Sequence, residues 1–80
     1  MKLLCFGRMG ELLGHEHALV MPQHVHTVAD MLTWLRQQET AWRDELERPF
    51  RVAVNQCIVN AEFRVTDQDE VALLPPISGG

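Results

Sequence analysis

The chain alternates between two periods of apolar spacing. From Met1 to Phe6 it is apolar on both sides of the strand alternation except at Lys2, the pattern of a strand covered on at least one face. Residues 7–14 set two leucines between glycines and predict a short helical turn, with Arg8 and Glu11 facing solvent. Residues 17–21 predict a second strand stopped by Pro22, giving a hairpin-like pair. Thr27-Val-Ala-Asp30 has the form of a capping box, in which each side chain bonds the other residue's backbone N–H. A helix should start there, with Val28, Met31, Leu32 and Leu35 forming one apolar stripe and Asp30, Arg36 and Gln37 outward. Residues 38–48 read as a looser helical turn ending before Pro49.

After Pro49 the period returns to two. Residues 51–54 predict a third strand, Asn55-Gln56 a bend, 57–59 a short fourth strand and 60–62 a turn. Phe63 and Val65 are expected to return to the core, and 70–74 is the last strand. This order predicts an α+β fold, a mixed sheet of about four to five strands on one main helix, of the ubiquitin-like β-grasp kind. The first and last strands are the most apolar and are expected to be central neighbours. They would run parallel, joined by the long crossover that a parallel pair needs. The expected organisation is a domain over residues 1–74 and an extended tail over 75–80.

Composition narrows the partners. Eighty residues, 46% hydrophobic and 22% charged, suit one compact domain that is too small for a large enclosed active site. Eleven acidic against seven basic residues, without a Lys/Arg cluster, leave no electrostatic footprint for nucleic acid. There is no span-length apolar run and no signal-type N-terminus, so no membrane partner is expected and the expected location is the cytoplasm.

The candidate chemical side chains are few. Cys5 and Cys57 lack Cys-x-x-Cys spacing; Cys5 suits a buried thiol and Cys57 a more exposed one, and a disulfide between them would be unusual in the cytosol. His15-x-His17 and His24-x-His26 each put two rings on one face, but no carboxylate or thiol completes a ligand set, so no metal is expected. Trp34 and Trp42 suit the edge of a small core better than a ligand surface. No nucleophile and base constellation of a catalytic kind is present, so the chain is not expected to be an enzyme on its own.

The C-terminus is the distinctive stretch. Pro75 and Pro76 fix φ and lack N–H groups, so they end strand pairing after Leu74 and favour an extended exit. The six residues Pro75, Pro76, Ile77, Ser78, Gly79 and Gly80, at about 3.3 Å each, reach about 20 Å. Gly79 and Gly80 lack Cβ atoms and can thread a narrow channel with the terminal carbonyl open to attack. Adenylation would make that carboxylate an electrophile toward sulfur. A terminal Gly-Gly by itself is more often the mark of a frayed, solvated end.

The run Asp67, Asp69, Glu70, Val71, Ala72, then Pro75 to Gly80, resembles the ending of the small, sulfur-carrying subunits of molybdopterin synthase, in the ubiquitin-like MoaD/ThiS family. The opening KLLCFGRMGELLG and the segment VAVNQ are similar to the same family, and the resemblance extends over nearly the whole chain. Two departures stand out: Gln68 where the family often has Gly, and Leu73-Leu74 where it often has a Phe pair. The first bears on the turn and the second on the apolar surface offered to a partner.

The resemblance implies that the Gly80 carboxylate is adenylated with ATP by a ubiquitin-activating-type (E1-like) enzyme and converted to a thiocarboxylate by a persulfide donor. It also implies insertion of the tail, Pro75, Pro76, Ile77, Ser78 and Gly79 leading to Gly80, into the large catalytic subunit of molybdopterin synthase. There the sulfur would pass to cyclic pyranopterin monophosphate in molybdenum cofactor biosynthesis, within a heterotetramer. No cofactor would be bound permanently, ATP being used by the activating enzyme. The alternatives are a ubiquitin-like carrier for another acceptor (thiazole for thiamine, a tRNA base or cysteine) and a non-carrier β-grasp interaction module with an inert tail.

Overall fold

The computed structural model describes residues 1–76. Five strands form one mixed sheet: β1 (Lys2–Cys5), β2 (Glu16–Ala18), β3 (Arg51–Val54), β4 (Cys57–Val59) and β5 (Glu70–Leu74). Their order across the sheet is β2-β1-β5-β3-β4, so β5 is central and β1 lies beside it, parallel. The other pairings are antiparallel. Three helices intervene: α1 (Gly7–Leu13), α2 (Val28–Arg36) and α3 (Thr40–Leu46). This is the expected α+β layer arrangement with a parallel central pair.

The alternation in the strands decides which face is buried. Leu3, Cys5, Val52, Val54, Val71 and Leu73 are all buried, and they pack in one core with Val28, Met31, Leu32 and Leu35 of α2. The α2 start follows its capping box: Asp30 N–H donates to Thr27 Oγ1 at 3.1 Å, and Thr27 N–H donates to Asp30 Oδ2 at 3.2 Å. Satisfying two N–H groups that the first helical turn leaves open fixes where the helix begins. Trp42 and Leu46 of α3 complete the core, with Trp34 packed partly buried against it, the core-edge role expected of both tryptophans.

Residues 38–48, expected as a looser helical turn ending before Pro49, contain the regular helix α3, whose Trp42, Glu45 and Leu46 are buried. The second strand is shorter and earlier than expected, Glu16–Ala18 rather than 17–21. Its register pairs Lys2 with Ala18 and Leu4 with Glu16, while Met21 drops into the core after the strand ends. Phe63, expected in the core, is 44% exposed, whereas Val65 is buried. Both residues are tied to the start of α2 through the backbone: the Phe63 carbonyl accepts from Val28 N–H, and Val65 N–H donates to the His26 carbonyl.

Two turns set the length of the last strands. Asn55 and Gln56 both have positive φ, 49° and 72°, the left-handed pair that lets β3 and β4 close in a two-residue hairpin. The acidic turn before β5 is tied down by Asp67, which accepts from Met21 N–H at 2.9 Å, and by Asp69, which accepts from Thr66 N–H at 2.8 Å and from Asn55 Nδ2 at 3.0 Å. Asn55 Oδ1 in turn accepts from Glu70 N–H at 3.0 Å. The hairpin turn and the entry to β5 therefore hold one another.

Candidate functional site

The site is built around the end of β5. Register pairs Cys5 with Leu73 on one side and Arg51 with Leu74 on the other. Pairing then stops, because Pro75 and Pro76 offer no N–H to continue it, and both prolines are exposed. Gly7, at φ +65°, lies beside Pro75; a Cβ there would be 3.4 Å from Pro75 Cγ. The tail thus departs over a position where the backbone is left-handed and no side chain intervenes. Of the expected site residues, Pro75 and Pro76 are found at this exit, while Ile77, Ser78, Gly79 and Gly80 lie outside the described residues.

The sheet face turned away from the helices carries an apolar row. Leu4 pairs with Ala72, Ala72 with Ala53, and Ala53 with Ile58, so one row crosses four strands. The two alanines in the middle leave a shallow trough of about 340 Å³, with Leu4 and Phe6 at one end and Ile58 at the other. Phe6 is 44% and Ile58 52% exposed. An apolar strip on an otherwise polar surface is a protein-contact feature. Leu74 borders this trough, but Leu73 is fully buried. Only Leu74 of that pair can be offered to a partner, which corrects the sequence reading. The row was not read from the sequence, because joining Leu4, Ala72, Ala53 and Ile58 needs the register.

A second feature escaped the sequence reading altogether. Glu45 of α3 is 6% exposed, and its two carboxylate oxygens meet arginines from opposite directions: Arg8 Nε of α1 at 3.0 Å and Arg48 Nε at 3.2 Å. Burying one carboxylate without such partners costs several kcal/mol, so the arginines make the position tolerable. Arg8 was expected only to face solvent; it is mostly exposed yet reaches Glu45 across 37 positions of sequence. No local spacing could have announced that pair.

The other candidate side chains are accounted for within the fold. Cys5 is buried and free, and burial pushes its thiol up from 9.0 to about 11, so it is an unreactive core group; Cys57 is free and exposed. His15 Nδ1 lies 3.3 Å from the Cys5 carbonyl and His17 Nε2 3.1 Å from the Gly14 carbonyl. The His17 ring also stands edge-on to Trp42, with centroids 5.2 Å apart. Among the described residues, no three His, Cys, Asp or Glu side chains converge as a metal site would require. No described helix is long and apolar enough to cross a membrane.

Comparison with known proteins follows the same outline. The model of the ThiS family matches residues 3–80. The chain belongs to the ThiS family. It is 35% identical to the molybdopterin synthase sulfur carrier subunit of Escherichia coli (strain K12), over 99% of this chain and 98% of that one. It is 31% identical to the protein of the same name from Haemophilus influenzae, over 100% of this chain and 99% of that one. Among solved structures, SAMP1 from Haloferax volcanii superposes with a TM-score of 0.76 at 23% identity, covering 99% of this chain and 97% of that chain. That likeness supports the ubiquitin-like β-grasp fold. The resemblance read from the opening strand, the VAVNQ segment and the Pro-Pro-x-x-Gly-Gly ending is borne out.

Proposed function

We propose that this ThiS-family chain is a sulfur carrier, the small subunit of a molybdopterin synthase, and that its reactive group is the Gly80 carboxyl. The observation carrying this reading is the full-length likeness to two molybdopterin synthase sulfur carrier subunits, joined to a central strand that ends in an exposed Pro-Pro. The body contributes a stable anchor and an apolar strip for docking, and the chemistry belongs to the main-chain end and to the partner enzymes.

In the proposed cycle the Gly80 carboxylate attacks the α-phosphate of ATP on an E1-like adenylating enzyme, and pyrophosphate leaves. The outer sulfur of a persulfide donor then displaces AMP to give an acyl disulfide, and a second thiol attacks the donor's sulfur, forming a disulfide with the donor and releasing the thiocarboxylate. The tail from Pro75 to Gly80 enters the large catalytic subunit, where the terminal sulfur attacks cyclic pyranopterin monophosphate and water then cleaves the acyl–sulfur bond, leaving sulfur on the pterin and returning the Gly80 carboxylate. No side chain of the carrier has to move a proton in any of these steps.

The deciding experiment offers the thiocarboxylated chain to purified acceptor enzymes in parallel: the synthase large subunit with its pterin, a thiazole synthase, and tRNA- and cysteine-forming systems. Sulfur is expected in the pterin. Sulfur appearing in thiazole, tRNA or cysteine and not in the pterin would replace the proposed acceptor while keeping the carrier role.

A further inference from the structure

We propose that Glu45 is a positioning residue for the tail: it clamps together the two segments between which β5 leaves the sheet, and so sets the direction of Pro75 and Pro76. The clamp is a property of the fold, and its use in presenting Gly80 rests on the carrier reading. β1 runs parallel to β5 and β3 antiparallel to it, so the end of β1 and the start of β3 flank the exit, with Cys5 opposite Leu73 and Arg51 opposite Leu74. One wall is Phe6-Gly7-Arg8, which follows β1; the other is Arg48-Pro49-Phe50, which precedes β3. Residues of both walls line one cavity of about 290 Å³ together with Glu45, Pro75 and Pro76.

Glu45 joins the walls. Its Oε1 accepts from Arg8 Nε at 3.0 Å on the first wall, and its Oε2 lies 3.2 Å from Arg48 Nε on the second. The carboxylate is buried whereas both arginines are mostly exposed, so Glu45 is the closed centre of the bridge. A buried ion pair stabilises a fold little more than apolar residues of the same volume would, and its better-supported use is to fix register. Register is what the first wall needs. Among the described residues no side chain caps the start of α1, a helix of seven residues, and Gly7 turns the chain there at φ +65°. Phe6 N–H on the Leu73 carbonyl and Arg8 on Glu45 hold that turn in place.

Pro75 rests on this turn, since a Cβ at Gly7 would stand 3.4 Å from Pro75 Cγ. With φ fixed in both prolines, the chain leaves as a stiff lever whose direction is set where its first ring is seated. Loosening the first wall therefore redirects the tail without altering any residue of it.

The test compares wild type with two variants. Arg8→Met parts the walls while leaving Glu45 paired with Arg48; Glu45→Gln keeps the size but has only one oxygen to accept from the two arginines. Asp69→Ala, which removes hydrogen bonds at the opposite end of β5, controls for lost stability alone. Circular dichroism checks folding, and Arg8→Met decides if Glu45→Gln does not fold. One readout is the nuclear Overhauser contact between the Gly7 α-protons and the Pro75 ring in the isotope-labelled full chain. The other is ATP-dependent pyrophosphate release on the adenylating enzyme from the same cells. Arg8→Met and Glu45→Gln are expected to lose the contact and to lower kcat about 10-fold, with KM for the carrier within about 2-fold of wild type. Asp69→Ala should keep the contact, with kcat and KM within about 2-fold. A contact that persists in Arg8→Met, wild-type kinetics in that variant, a raised KM with kcat unchanged, or an equal fall in kcat in Asp69→Ala would overturn the positioning role. If the wild-type chain is not adenylated at all, the carrier reading falls. The contact then decides the clamp by itself, its loss in Arg8→Met supporting the clamp and its persistence overturning it.

Discussion

Phe6 N–H donates to the Leu73 carbonyl at 3.0 Å, joining the residue just after the first strand to the last fully buried residue before the tail. The exit point is therefore held by the two central strands and by the core under them, rather than by the prolines alone. Leu73→Ala removes a fully buried side chain at this point and should cost about 2–5 kcal/mol in denaturant unfolding. Leu74→Ala, on the open face, should cost much less and should instead weaken partner binding.

The open face gives a separate prediction. Ile58→Asp places a charge at the end of the Leu4–Ala72–Ala53–Ile58 row, where the wild-type side chain is half exposed. Thermal stability should change little, while affinity for the synthase large subunit falls by at least about 10-fold. Titration calorimetry with that subunit checks it; unchanged affinity would mean that this face is not the docking surface.

Thr27→Ala deletes one half of the capping box and should destabilise the fold by about 1 kcal/mol, read from equilibrium unfolding. Gly10→Ala should be far worse. A Cβ at Gly10 would overlap the Cys5 carbonyl and the His15 ring, and the backbone carbonyl cannot swing aside. Loss of soluble folded protein, or a steep fall in melting temperature, is the expected result.

Several of these positions could be read from the sequence and others could not. The apolar stripe of α2, the capping box and the strand before Pro75 are local patterns, each decided within a few residues by spacing or by a missing N–H. The central parallel pairing of β1 and β5 followed from their being the most apolar strands. What stayed hidden depends on distant partners: the turn over 38–48 is a regular helix because Trp42 and Leu46 find the core, and Glu45 is buried because Arg8 reaches it. Of the tail, only Pro75 and Pro76 fall among the described residues.

Protonation gives two predictions of opposite sign. Cys5 holds its proton to about 11 in the folded chain against 9.0 ordinarily. The folded state therefore binds more protons in that window, and stability should decline as pH rises from about 9 toward 11. At neutral pH, iodoacetamide should label Cys57 and spare Cys5.

For Asp69, burial pushes the carboxyl up, but hydrogen bonds from the Asn55 side chain and from Thr66 outweigh it, leaving the group below its usual range. For Asp30, the His26 N–H leads the bonds that lower it. The folded state thus favours both carboxylates, so their stabilisation is present above the ordinary carboxylate range and is lost as pH falls through their lowered values. Asp69→Asn should make the acid unfolding transition less steep.

Under the proposed carrier role the reactive group is the main-chain end, and the intact mass of the protein taken from its own cells tests this most directly. A species with one oxygen exchanged for sulfur, mapped to Gly80 by fragmentation and absent when Gly80 is deleted, is the predicted result. A population carrying only an unmodified carboxylate, in cells actively making the cofactor and with the adenylating enzyme present, would contradict it.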